Sequence, residues 1–407
     1  MKENRQSPEI RMEGFEDDWI YNNLRKLAIF NPKTEPPEEF EYVDLESVVG
    51  TEMMYHRKEK RDTAPSRAQR VAQYGDLFYQ TVRPYQKNNY LFEKEECYVF
   101  STGYAQIRPF AADGYFLLSL VQNNSFVKKV LDNCTGTSYP AINANDLADI
   151  KIHYPVNYSE QERIGCWFRN IDLFISLHNK EIKRLECLRK AMVEKMFPQN
   201  GADVPAVRFG QYKEPWRLCQ FSEIFKERHI IDTISDEYPQ LAFTIEEGVI
   251  RPEDKKTNKR DFLIIDKANK KYLQTEYDDI IYNPANVIYG AIHRNALGKG
   301  CVSPIYKIFY TDQDSTFMEC IVRHPRFIKE ISRSMEGTVK KLRTLKPKAF
   351  LEKRAYIAPT IEEQQQIGEY FRQMDRLIEI EKEKLEKIKH IKSACMENCL
   401  LYTSPSP

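Results

Sequence analysis

The chain has 407 residues, enough for two or three independently packed cores. Its 61 basic and 60 acidic residues leave a net charge of +1, which is silent about a polyanionic partner because such affinity depends on local patches. Nine cysteines without a CxxC pair, the closest being Cys395 and Cys399 one helical turn apart, exclude a disulfide framework and a zinc ribbon; with no apolar leader in MKENRQSPEIRM and no run of 18 apolar residues, the expectation is a soluble cytoplasmic protein.

In chain order, the first informative segment is Pro8, Arg11, Phe15, Trp19 and Leu24, because its spacing returns 197 residues later as Pro205, Arg208, Tyr212, Trp216 and Phe221. A second echo, offset by 203, relates Gln161, Ile164, Gly165, Phe168, Asp172 and Ile175 to Gln364, Ile367, Gly368, Phe371, Asp375 and Ile378. Two nearly equal offsets indicate a duplicated unit of about 200 residues, much longer than the units of solenoids or propellers. Residues 1–50 are acidic, with twelve acidic and six basic residues, whereas 55–70 carry a net +4 from Arg57, Lys58, Lys60, Arg61, Arg67 and Arg70 against Glu59 and Asp62. Residues 251–271 also carry +4.

Between about 20 and 155 the pattern is of short strands broken by turns, with candidates at Asp76–Tyr79 and Tyr115–Leu118. From Ser159 to about Phe197 the apolar residues Ile164, Phe168, Ile171, Ile175, Ile182, Leu185, Met192 and Met196 keep a strict 4-3 spacing, with His178 and Arg189 in the two remaining positions. This predicts a long amphipathic helix with a coiled-coil seam, about 57 Å long at 1.5 Å per residue. A seam so narrow needs a partner helix. Residues 198–205, Pro-Gln-Asn-Gly-Ala-Asp-Val-Pro, read as a linker. The second copy offers strands at Phe262–Ile265, Asp279–Tyr282 and Pro304–Ile308, with Tyr277, Asp279, Ile281 and Tyr282 at the 203 offset from Tyr74, Asp76, Phe78 and Tyr79. Gly337-Thr338 similarly echoes Gly136-Thr137. From about Glu362 to Leu400 a second long helix repeats the seam as Ile367, Phe371, Met374, Ile378, Leu385, Ile388, Cys395 and Cys399, with Glu381 and Lys392 as its polar interruptions. An antiparallel pair of the two helices is the simplest closure, against the alternative that each packs on its own globular part. Framework positions repeat while loops differ, which predicts one job done on two different targets.

No GxGxxG, P-loop, HExxH, GxSxG or clustered His/Cys ligand set is present, and the seven histidines are scattered singly. Tyr282-Asn283-Pro284-Ala285 lacks the second proline and the aromatic of an amino-methyltransferase motif and reads as a turn after a strand. No residue is therefore assigned to catalysis or to a metal. Recognition remains. Arginine reads guanine bidentately and Asn or Gln reads adenine, so the loop residues Arg83, Gln86, Lys87, Asn88 and Asn89, and Arg294, Asn295 and Lys299, are candidate DNA contacts. Arg57, Lys58 and Arg61, with Arg251, Lys255 and Lys256, are candidates from the basic runs.

The arrangement resembles the DNA-specificity subunit of type I restriction–modification systems over residues 8–400. The resemblance rests on Pro205-x-x-Arg208-Phe209 with Trp216; on Gly75-Asp76-Leu77-Phe78 with Val82-Arg83-Pro84; on residues 136–143, Gly-Thr-Ser-Tyr-Pro-Ala-Ile-Asn; and on Glu-Gln-x-x-Ile-Gly at 160–165 and 363–368. Gly248-Val249-Ile250-Arg251 and Ser303-Pro304-Ile305-Tyr306 are similar to that family's recognition domains. The proline-rich run expected before Glu-Gln is reduced in both copies, and the tail after Leu401 departs from the family's basic and aromatic end.

The resemblance implies an α+β chain: two globular target-recognition domains in pseudo-two-fold arrangement, joined by two long antiparallel coiled-coil helices. The expected divisions are a first recognition domain at 1–157, a spacer helix at 158–198, a linker at 199–216, a second recognition domain at 217–360, a second spacer helix at 361–401 and a disordered tail at 402–407. It implies a chain without catalysis that reads a bipartite, asymmetric site on double-stranded DNA and docks two methyltransferase subunits, which use S-adenosylmethionine. Two restriction subunits, using ATP and Mg, are an open addition. The alternatives are a single-chain restriction and methyltransferase enzyme, and a coiled-coil scaffold without a DNA role.

Overall fold

The computed structural model describes residues 8, 10–136, 138–199, 201–254, 270–335 and 343–400. They fall into two compact units, one of residues 1–180 with 382–407 and the other of 181–381. The division thus runs through both long helices rather than at their ends. The expected strand at Phe262–Ile265, the pair Gly337-Thr338 and the tail 402–407 lie outside the described residues.

In the first unit, strands Ala28–Phe30, Tyr104–Pro109, Leu77–Gln80 and Tyr90–Leu91 form an antiparallel sheet in that order. A second sheet runs Arg57–Lys60, Glu39–Val43, Tyr98–Ser101, Ala68–Val71, with one parallel pair between Glu39–Val43 and Tyr98–Ser101. Leu77–Gln80 is buried along its whole length. Successive side chains of a strand point to opposite faces, so this strand feeds two cores. Leu77 and Tyr79 join Trp19, Phe116, Leu117 and Phe168 on one side, and Phe78 stacks on Phe100 in a cluster with Phe92 and Tyr104 on the other. The second unit repeats the device. Ile280 and Tyr282 of strand Ile280–Tyr282 enter a core with Trp216, Phe317 and Phe371, while Ile281 enters a smaller one with Leu273, Val302 and Ile308.

Two expectations need correction. Tyr115–Leu118 is not a strand but part of helix α1 (Gly114–Gln122), because the Asp113 carboxylate caps the turn by accepting from the Phe116 amide at 2.8 Å. Its continuous apolar run reflects burial on most sides, a pattern that does not separate a buried strand from a buried helix. The strand expected at Pro304–Ile308 instead spans Lys307–Thr311, since residues 303–306 close a turn with the Tyr306 amide on the Ser303 carbonyl. Helix α2 (Asn124–Asp132) and α3 (Ala144–Asp149) complete the first domain, and α4 (Tyr158–Met196) leaves it. The second copy holds the short α5 (Phe221–Ile224), then α6 (Ser315–Val322), α7 (Pro325–Arg333), α8 (Pro347–Leu351) and α9 (Ile361–Cys399).

The duplicated sequence signature builds one clamp at the start of each long helix. In the first unit Arg11 donates to both carboxylate oxygens of Glu160, at 2.7 and 2.8 Å, and the Trp19 indole donates to the same group at 3.2 Å. Arg208, Glu363 and Trp216 repeat this at 2.6, 2.8 and 3.2 Å. The next residue joins helix to domain. Gln161 accepts from the Asp113 amide and donates to the Pro155 carbonyl, and Gln364 does likewise with Asp314 and Ala358. The glycine four residues further on is required by closeness: a Cβ on Gly165 would stand 2.2 Å from Asp113 Oδ1, and one on Gly368 2.4 Å from Asp314 Oδ1.

Within each unit the start of one long helix lies antiparallel to the end of the other. In the first, Ile164 and Phe168 of α4 pack with Leu400, Cys395 and Met396, and Lys392 reaches Asp172 at 2.5 Å. In the second, Met192, Val193, Met196 and Phe197 pack with Ile367 and Phe371 of α9, and Arg189 grips Asp375 through both carboxylate oxygens. The seam residues Ile171, Ile182, Met374, Ile378 and Leu385 are buried, while Ile175, Leu185 and Ile388 are half-buried. Arg189 and Lys392, which interrupt the seam, are the partners of two aspartates that the repeat also duplicates.

Candidate nucleic-acid interface

The turn after strand Leu77–Gln80 is the best-formed candidate. Pro84–Gln86 make a single 3-10 turn, bounded by Arg83 at φ 54° and Lys87 at φ 56°. The left-handed region costs a residue with a Cβ and persists only where surroundings enforce it. Here the surroundings are the 136–143 motif: the Arg83 amide donates to the Pro140 carbonyl at 2.8 Å, Val82 bridges Ala141, and the Arg83 guanidinium lies 4.4 Å from the Tyr139 ring centre. Two segments that resemble the family separately in sequence thus meet in space. Tyr139 and Tyr85 are exposed beside them, and Tyr139 was readable only as part of the motif, not as a contact.

The other candidates of this turn are less free. Gln86 is exposed but accepts from the Gln80 amide group at 2.8 Å, and Asn88 accepts from the Gly50 amide at 2.9 Å. Asn89 is buried and accepts from the Gln80 backbone, so it is a framework residue rather than a reader. Lys87 donates to Asn124 at 2.7 Å, and burial, helped by Lys392, lowers its pKa.

The first basic run is largely neutralised where it stands. Arg57, on an edge strand, pairs with Asp44 at 3.0 Å and Glu59 at 2.7 Å and lies over Tyr42; Arg61 pairs with Glu35 at 3.6 Å. Lys58 is exposed on the same strand. This strand and the 83–88 turn belong to different sheets. In the second unit Arg251 is exposed, while Lys255 and Lys256 lie outside the described residues. Asn295 is wholly buried, donating to Thr275, Glu276 and Gly298 and accepting from Leu297 and Gly298, so it shapes its own loop and is withdrawn as a base reader. Arg294 is folded inward onto Asp278 at 2.8 Å and Glu319 at 3.7 Å, with only a tenth of its side chain exposed. Lys299 pairs with Glu237 beside the Tyr238 ring.

The duplicated aspartates of the same strands are buried anchors: Asp76 holds Arg108 at 2.8 Å, and Asp279 holds Arg228 at 2.9 Å. Each stands at the base of the hairpin that carries the turn Pro84–Gln86 or its counterpart Val287–Tyr289.

Residues 66–187, from the strand before this hairpin into α4, match the family described as Type I restriction modification DNA specificity domain. Across 310 residues, 71% of this chain and 69% of its relative, the sequence is 24% identical to the Type I restriction enzyme MjaVIII specificity subunit of Methanocaldococcus jannaschii. Residues 66–187 thus carry a type I restriction–modification DNA specificity domain, and most of the chain is similar to a specificity subunit. The fold agrees. A type I restriction–modification S subunit from M. genitalium, 14% identical, superposes with a TM-score of 0.63 over 98% of this chain and all of that one. A chain from a structure of a type I R-M system, concerned with its assembly and conformational transition, gives 0.53 at 20% identity, covering 94% and 97%. No helix among the described residues of the chain is long and apolar enough to cross a membrane.

Proposed function

We propose that this chain is a specificity subunit that reads two different half-sites on double-stranded DNA, one with each unit, and docks two copies of one modification subunit on its long helices. The observation that carries the reading is what the duplication keeps and what it lets go. The Arg–Glu–Trp clamps, the cross-helix ion pairs and the central strands repeat position for position, whereas the recognition turns do not. Basic side chains on phosphates set register, and loop side chains such as Arg83, stacked on Tyr139, read base edges.

The docking side rests on a second duplicated feature. Phe174 and Leu177 of α4 are exposed, and so are Leu377 and Ile380 of α9, each 203 residues on. On each helix the two lie about 60° apart at 100° per residue, so they form one apolar stripe within a single unit. Apolar stripes at equivalent positions of both copies suit two copies of one partner. In this reading the subunit itself catalyses nothing. S-adenosylmethionine belongs to the modification subunits, and restriction subunits, where the system has them, bring ATP and Mg.

The test exchanges residues 217–360 for those of another family member and maps methylated motifs in cells that also carry the modification subunit. One half of the motif changes and the other stays; a change in both halves sinks the assignment of one half-site per unit. Incubating the purified chain with S-adenosylmethionine and DNA separates the single-chain enzyme, which transfers methyl groups unaided. A coiled-coil scaffold is separated by a mobility shift that weakens steeply with salt when DNA is bound.

A further inference from the structure

Three consecutive residues at the junction of α1 and α2 reach two places, Lys87 and the end of α9. Gln122, 8% exposed, donates through Nε2 to the Lys87 carbonyl at 2.9 Å, which closes the recognition turn. Asn124 accepts from the Lys87 ammonium at 2.7 Å. Asn123, 3% exposed, uses its oxygen to cap α2, accepting from the Ser125 amide and hydroxyl, and its Nδ2 to donate to the Met396 carbonyl at 2.6 Å. Met396 lies in the last turn of α9, where carbonyls lack intrahelical donors, so Asn123 satisfies a group that the helix leaves open. The neighbouring Asn398 carbonyl accepts from the Ile10 amide at 3.2 Å.

The second unit is built differently at the same place. Arg323, His324 and Pro325 occupy the corresponding junction: Arg323 bonds Glu319, and His324 caps α7 by accepting from the Arg326 amide while its Nε2 stands 3.9 Å from Glu194 in the last turn of α4. The turn there, Val287–Tyr289, closes through Gly290 at φ 90°, with hydrogen bonds among residues 283–292 and one from the Leu345 amide to the Pro284 carbonyl.

We propose that Gln122, Asn123 and Asn124 are positioning residues that couple the end of α9 to the DNA-reading turn 83–88 of the first unit. The inference rests on the proposed function, in which that turn reads a half-site. The helix end then sets how sharply the first half-site is discriminated, while in the second unit the hydrogen bonds described for Arg323 and His324 stop short of the turn 287–289.

The test uses the full chain assembled with its modification subunits, and measures binding to DNA panels carrying single base changes in either half-site. Asn123→Ser keeps a capping oxygen and loses the donor to Met396; Gln122→Met keeps the side-chain length and loses the donor to Lys87. Both variants relax discrimination at one half-site roughly tenfold, the size of a common coupling between sites, and leave the other half-site and the spacer length unchanged. Equal discrimination to the unsubstituted chain overturns the bridge, and so does an equal loss at both half-sites. Arg83→Ala and Gln86→Ala separate the two levels. If they change neither half-site, the turn does not read DNA and the bridge falls with that reading; if they change one and the bridge variants do not, the bridge alone falls.

Discussion

Glu160 and Glu363 show how much a single residue type can carry. Each is fully buried, and each satisfies an arginine and an indole from a segment about 150 residues distant in sequence. Removing one partner of a buried ion pair leaves the other charge stranded, which costs on the order of 3–5 kcal/mol. Glu160→Ala is therefore expected to lower the melting temperature strongly. Arg11→Met combined with it recovers part of the loss, and a double-mutant cycle reads the coupling. His293 gives a pH signature. It is packed under Gly248 with Phe243 at its edge, its Nε2–H donates to the Ile245 carbonyl, and Glu319, Arg294 and Arg323 stand around it. Burial first, and Arg323 second, push its pKa down to about 4. The unfolded chain, near the ordinary value of about 6.5, then binds the proton first, so stability is full above about 6.5 and declines toward 4 as pH falls. The loss attributable to His293 is about 3 kcal/mol at pH 4. His293→Gln should flatten that part of the unfolding profile; an unchanged slope between these pH values would count against the assignment.

At the scale of elements, the long helices were the most legible part of the sequence. Eight of ten seam positions were apolar in each, and the observed bounds, Tyr158–Met196 and Ile361–Cys399, lie one residue from those read off the pattern. The stripe on their outer side was not read. An exposed leucine among charged residues has no periodic signature strong enough to stand apart from the seam. Its prediction is direct: Leu377→Asp with Ile380→Asp should leave the chain folded, since exposed substitutions cost within about 0.5 kcal/mol. Native mass spectrometry should then find one modification subunit bound in place of two. Retention of both would remove the stripe as a docking face. The loops were the least legible. Asn295, Arg294 and Lys299 had the composition of base readers, but Asn295 closes its own turn, and the acids that hold the other two, Asp278 and Glu237, lie 16 and 62 residues away in the chain. Residue type announces what a side chain can bond; only the fold decides whether a partner already stands there. Tyr115–Leu118 failed for a related reason, because an apolar run buried on every side has lost the periodicity that names its element.

For the whole molecule, each unit's packing takes the first part of one long helix and the last part of the other, and the change-over falls at 180–181 and 381–382. Seven residues inserted at one of these points alone would put a helix out of step with its partner in one unit. Matching heptads at both points preserve every seam contact, and the tolerated spacer between half-sites should lengthen while the half-sites stay the same. Methylation mapping that returned altered half-sites at constant spacing would show that the helices do not set the spacer. A hydrophobic repeat of seven is the increment that keeps the seam facing its partner.

Phe197 and Leu400 stand 203 residues apart, each just past the end of a long helix and each buried in the core of the unit that the other copy's recognition domain builds. Phe197 fits among Trp216, Phe317 and Phe371, whereas the smaller Leu400 belongs to the core of Trp19, Phe116 and Phe168. A gene that acquires a new reading domain by recombination within its first half therefore inherits a socket whose plug is encoded at the far end. Lineages that trade half-sites freely should be those whose plug residues match in size, and a mismatched exchange should surface as a folding defect before it surfaces as a change of target.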